Sequence, residues 1–136
     1  MTKRSLLLAL LLAGCASQSG IMPTAAGCGQ HVCMVAVTVA PDCTINVDPD
    51  PVEIAANNTN MEIHWRLTGG TFTDDGIFLK DPGQNSGGDL WGFARANGDL
   101  YVVHNRHAFT GRNYQYGIRV TNANGQACGK DPWILN

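Results

Sequence analysis

The chain has 136 residues, 15% of them charged, with 9 basic against 11 acidic side chains and a formal charge of −2. That length supplies one domain of ordinary size and leaves no room for two. Nucleic acid is excluded as a partner on charge, because Arg95, Arg106, Arg112 and Arg119 stand singly among acids rather than in a stripe that would neutralise phosphates.

Residues 1–15 read M-T-K-R-S-L-L-L-A-L-L-L-A-G-C. Lys3 and Arg4 precede an unbroken apolar run from Leu6 to Ala13, and small residues then lead to a cysteine, which is the layout of an export signal. The run is far shorter than the roughly 20 residues a transmembrane helix needs. The ending Leu12-Ala13-Gly14-Cys15 resembles the lipobox of bacterial lipoproteins. That resemblance implies cleavage of residues 1–14 as a signal peptide, a diacylglycerol on the Cys15 thiol and acylation, for instance by palmitate, of the new amino group. Each buried methylene contributes about 0.8 kcal/mol, so two or three chains anchor a protein where one binds only reversibly. Ala16 follows the cysteine in place of the aspartate that favours inner-membrane retention in enteric lipoproteins. The resemblance therefore implies the outer membrane, facing the periplasm. Cleavage also removes Lys3 and Arg4 from the charge balance and leaves a mature charge of −4, from 7 bases and 11 acids.

Residues 15–27 form the lipidated start and a small, polar tether without periodicity. Five cysteines leave one over if the rest pair, and lipidation accounts for Cys15. Cys28, Cys33, Cys43 and Cys128 would then meet an oxidising compartment. Cys28 with Cys33 and Cys43 with Cys128 is the favoured pairing; a bridge from Cys33 to Cys128 is the rival. His31 between Cys28 and Cys33 raises zinc, but the spacing is not the paired C-x-x-C of structural zinc sites.

Over residues 28–136, β-branched and alternating stretches recur between Gly, Asn, Asp and Pro clusters, which predicts an all-β sandwich or barrel with no helix of any length. Strands are predicted at Cys33 to Val39, Thr44 to Val47, Val52 to Ala55, Met61 to Leu67, Phe72 to Leu79, Leu90 to Ala96, Tyr101 to Asn105 and Tyr114 to Asn122. Asn97-Gly98 and Asn124-Gly125 read as tight hairpin turns, since both residue types accept positive φ. Alternation puts Trp65 in the core and His64 outside, and gathers Tyr114, Tyr116, Ile118 and Val120 on one face. Those two strands should meet across the core.

The Pro-rich stretch near Pro49 to Ile54, the Trp65 strand and the late Tyr-x-Tyr-x-Ile-x-Val strand together resemble an immunoglobulin-like or cupredoxin-like Greek-key sandwich of about seven to eight strands, stapled by disulfides. The ending Asp131-Pro132-Trp133-Ile134-Leu135-Asn136 resembles the D-P-x-I-x-N terminus of small bacterial sandwich domains. The tyrosine two residues before the second bridging cysteine of true immunoglobulin domains is absent here, because Gln126-Ala127 precede Cys128.

A cupredoxin likeness raises copper, which asks for two His, a Cys and a weak axial ligand. The loop expected over residues 123–132 holds Cys128 but neither His nor Met, so no metal and no cofactor is expected. His104 and His107 lie three apart on a strand and point to opposite sides, as part of a surface patch with Asn105 and Arg106. Asp48 and Asp50, and Asp74 and Asp75, lack the spacing of a calcium loop and read as turn residues. Ser86 sits in a Gly-rich loop without a nucleophile motif, and no enzyme is expected. Trp91, Phe93 and Trp133 are the candidate binding surface, for a glycan or an envelope protein; the plainer reading of both tryptophans is that they complete a small core. The expected function is a lipid-anchored envelope module that binds or supports. The alternatives are a cupredoxin-type redox protein or a hydrolase inhibitor presenting the loop from Lys80 to Leu90.

Overall fold

The computed structural model describes residues 26–136, so the signal segment, Cys15 and nearly all of the tether lie outside the described residues. In chain order the strands are β1 (Gly27–Cys28), β2 (Val32–Val39), β3 (Ile45–Asp48), β4 (Val52–Glu53), β5 (Met61–Thr68), β6 (Gly70–Leu79), β7 (Leu90–Asn97), β8 (Leu100–Asn105), β9 (Asn113–Asn122), β10 (Ala127–Lys130) and β11 (Trp133–Leu135). A single 3-10 turn, Pro82–Asn85, interrupts them. Every predicted strand is present. The additions are short: β1, β10 and β11, so that Cys128 lies on a strand paired with Val120 and not in a loop.

The strands form two sheets. In the first, β1 and β3 share one edge of β2, and β5, β8 and β7 follow in that order. In the second, β6 pairs with one edge of β9 while β10 and then β11 line its other edge, with β4 beyond β11. The chain crosses between sheets from β3 to β4, back from β4 to β5, and again from β5 to β6, from β6 to β7 and from β8 to β9, and it makes hairpins at β1–β2, β2–β3, β7–β8 and β9–β10. This is an immunoglobulin-like Greek key. It departs from the usual plan on one side: β2 lies between β3 and β5 and runs parallel to β5.

Alternation explains the core. Met61, Ile63, Trp65 and Leu67 of β5 face Tyr114, Tyr116, Ile118 and Val120 of β9, all buried. The two sheets meet where the Trp65 indole N–H donates to the Tyr116 hydroxyl at 3.1 Å, with ring centroids 5.3 Å apart. Burial pushes the Tyr116 phenol up, because a phenolate there would lose its water.

The crossing from β5 to β6 takes place at Gly69-Gly70. Gly69 has φ +88°, and a Cβ on either glycine would collide with a backbone carbonyl, that of Val39 or of Thr121. Only glycine lets the chain change sheets there.

Two disulfides form, Cys28–Cys33 within the β1–β2 hairpin and Cys43–Cys128 across a sequence separation of 85. The favoured pairing is therefore the one present. Beside the second bridge, Asn122 is buried and its amide donates to Pro41 O at 2.9 Å while its Oδ1 accepts from Asn124 and Gln126 N–H. The β9–β10 hairpin is thus tied to the β2–β3 turn twice, covalently and by hydrogen bonds.

Candidate functional site

The outer face of the first sheet carries a row of side chains that the core does not use. Register places Trp91 on β7 opposite His104 on β8, and His104 opposite Glu62 on β5. His64 lies two residues beyond Glu62 and so on the same face. The Trp91 and His104 rings stack at 4.3 Å between centroids and 18° between planes. His64 Nε2 is 2.7 Å from Glu62 Oε2, and His104 Nδ1 lies 3.6 Å from Glu62 Oε1. Trp91 remains 51% exposed, so one face of the indole is covered by imidazole and the other by water.

Backbone geometry builds this stack. β7 departs from its register with β8 between Trp91 and Ala94, and Gly92 inside that bulge has φ +65°. A Cβ on Gly92 would stand 2.7 Å from His104 Cδ2, so the glycine serves both the left-handed turn and the room for the imidazole.

The predicted trio of aromatics is not one surface. Trp91 faces outward from the first sheet; Trp133 is 41% exposed on β11, outward from the second. The expectation that both complete the core fails for one reason: their neighbours Leu90 and Ile134 take the inward positions. Phe93 is half-buried and packs against the core. It lines an open groove of about 420 Å³ with Ile77, Leu79, Pro82 and Tyr101. The acids at the groove's rim are engaged. Residues 73–76 bulge out of β6 opposite Arg119, where Asp75 pairs with that guanidinium and Asp74 pairs with Arg95 at 2.6 Å. The Thr73 hydroxyl, with Arg119 beside it, holds the Asp75 carboxyl below the usual range.

His104 and His107 do diverge, yet the surface patch expected at residues 104–107 is not there. Asn105 and His107 are buried, with Asn105 Nδ2 donating to Asn136 Oδ1 at 2.8 Å and His107 Nδ1 2.6 Å from Asn58 O. Loop 80–90 is tied down. The Asn85 side chain bonds both the N–H and the carbonyl of Leu90, and Asp89 is fully buried, accepting from the Tyr114 hydroxyl and the Ala108 N–H at 2.9 Å each. Burial first, and then Asp89, push the Tyr114 phenol up to about 12.

Among the described residues no group of three His, Cys, Asp or Glu side chains is arranged to hold a metal ion, and Cys128 is committed to its disulfide. Among them, too, no helix is long and apolar enough to cross a membrane. The sequence signal for the row was Glu62-x-His64, two polar residues on the outward face of a strand; its partners Trp91 and His104 are joined to it only by register. No protein-family model matches the chain, and no curated protein matches it.

Proposed function

We propose that this chain is a lipoprotein of the bacterial cell envelope, anchored through Cys15 to the outer membrane on its periplasmic side, that binds a partner and catalyses nothing. The Leu12-Ala13-Gly14-Cys15 ending supports the anchor. Both disulfides fit an oxidising compartment. Eleven residue steps separate Cys15 from Ala26, so the folded domain stays within about 40 Å of the lipid surface.

The observation that carries the binding role is Trp91. A half-exposed indole held flat on a polar sheet face adds little to folding, and tryptophan is among the residue types most enriched where contacts carry binding energy. With both cysteine pairs oxidised, no described thiol is free to act as a nucleophile. Mass spectrometry of the native N-terminal peptide tests the anchor: it should begin at Cys15 and carry fatty acids, and an unacylated chain starting at Met1 would refute it. For the binding role, a photo-crosslinking amino acid at position 91 should form an adduct in intact cells that the same group at Thr121, on the opposite sheet, does not. Equal adducts from both positions, or none, would refute the assignment of the binding face.

A further inference from the structure

We infer that the Trp91 row is a subsite for an uncharged pyranose glycan, with one sugar ring stacked on the indole and its neighbour's hydroxyls bonded to Glu62 and His64. This rests on the binding face proposed above and names the chemical class it takes.

Three observations point the same way. First, the platform is flat and fixed: Trp91 lies on His104 with 18° between planes, and the bulge at Gly92 holds it there. A pyranose ring has one face of C–H groups that pack on an aromatic plane, and a plane that is already ordered loses little freedom on binding. Second, the apolar surface is a single ring bordered by ionisable groups. A protein partner would need a broader core depleted of charge. Here the indole lies on an imidazole that is itself beside a carboxylate, and Glu62 and His104 are 41% and 36% exposed at their side chains.

Third, the spacing and bonding capacity suit a sugar chain. Trp91, His104 and Glu62 occupy three adjacent strands, a span of roughly 10 Å, which is about a disaccharide. Glu62 gives one oxygen to His64 and has acceptor sites left over for hydroxyl protons. The Glu62 carboxylate, on the strand of these three farthest from Trp91 and on a chain with a formal charge of −2, disfavours acidic sugars and leaves the uncharged ones.

The experiment is a titration of the full chain, extracted in detergent and 15N-labelled, with β-1,4-linked tetrasaccharides of glucose and of N-acetylglucosamine. Three indole N–H signals report, for Trp65, Trp91 and Trp133. The Trp91 signal should shift and saturate with at least one sugar while the other two stay in place. Trp91→Ala should weaken binding about tenfold with an unchanged fold, and Glu62→Gln should weaken it with the Trp91–His104 stack intact. No saturable shift at Trp91 with either sugar, or binding retained in Trp91→Ala, overturns the inference. If the sugars fail while crosslinking at position 91 succeeds, the glycan class falls and the binding face stands; if both fail, both fall.

Discussion

Removing the two disulfides one at a time should reveal which of them holds the domain together. In the chain-entropy treatment, a bridge spanning 85 residues, as Cys43–Cys128 does, disfavours the unfolded chain by roughly 4 to 5 kcal/mol. Cys28–Cys33 spans 5 and contributes about 2 kcal/mol. Packing predicts no such difference, since each bridge joins one buried cysteine, Cys33 or Cys128, to a more exposed one, Cys28 or Cys43. Alanine at both ends of each bridge avoids leaving a buried hydroxyl unpaired. Under loop entropy, Cys43→Ala with Cys128→Ala should lower the melting temperature by about 16 to 20 °C, and Cys28→Ala with Cys33→Ala by about 8 °C, at roughly 4 °C per kcal/mol for a domain of this size. Urea unfolding monitored by tryptophan fluorescence gives the same comparison in free energy. Equal losses, or the larger loss at Cys28 and Cys33, would refute the reasoning and make the buried sulfur, not the closed loop, the source of the stability.

Tyr116→Phe should destabilise by about 1 to 3 kcal/mol in the same assay, because it leaves the Trp65 indole N–H buried without an acceptor; a neutral result would mean that water reaches it. Asn122→Ala should cost a similar amount, since it removes one donor from the Pro41 carbonyl and the acceptor of both the Asn124 and Gln126 N–H groups at one stroke. The Tyr114 phenol, raised to about 12, keeps its proton in the folded chain between pH 10 and 12, where an unfolded tyrosine loses it. The folded state then binds more protons, so the contribution of Tyr114 to stability is complete below pH 10 and is lost as the pH rises through that window. Tyr114→Phe should reduce the slope of the urea midpoint against pH, and an unchanged slope would remove Tyr114 from the alkaline transition.

The long strands were legible because each buries one face. Period-two alternation in Met61 to Leu67 and Tyr114 to Asn122 can be satisfied only by a sheet packed on a core. The short ones were not. In β10 only Cys128 is buried and in β11 only Ile134, so their pairing is dictated by β9 and the disulfide rather than by any pattern of their own. The core reading of Trp91 fails for a related reason. The bulge at Gly92 breaks the alternation between Leu90, which is buried, and Phe93, which is half-buried, and a one-residue shift moves a side chain to the other face. Asn105, His107 and Asn122 looked like surface or turn residues, because their partners Asn136, Asn58 and Pro41 lie 31, 49 and 81 positions away.

The polar side chains divide into two kinds, and the division separates fold from function. Asp89 is fully buried, and its carboxylate accepts from Ala108 N–H and the Tyr114 hydroxyl. Its backbone carbonyl accepts from Arg106 N–H as well, and replacing the side chain would orphan the Ala108 N–H and the Tyr114 hydroxyl. Glu62, His64 and His104 pair in the open, where such contacts contribute only about 0 to 1 kcal/mol, and the indole beside them covers no core. The bulge at Gly92 serves the fold, since Phe93 within it packs against the core, and it leaves Trp91 lying flat on an imidazole at the surface. On the binding role proposed above, the bulge also aims a rigid aromatic plane outward from β7, the edge of the first sheet opposite β1 and β3.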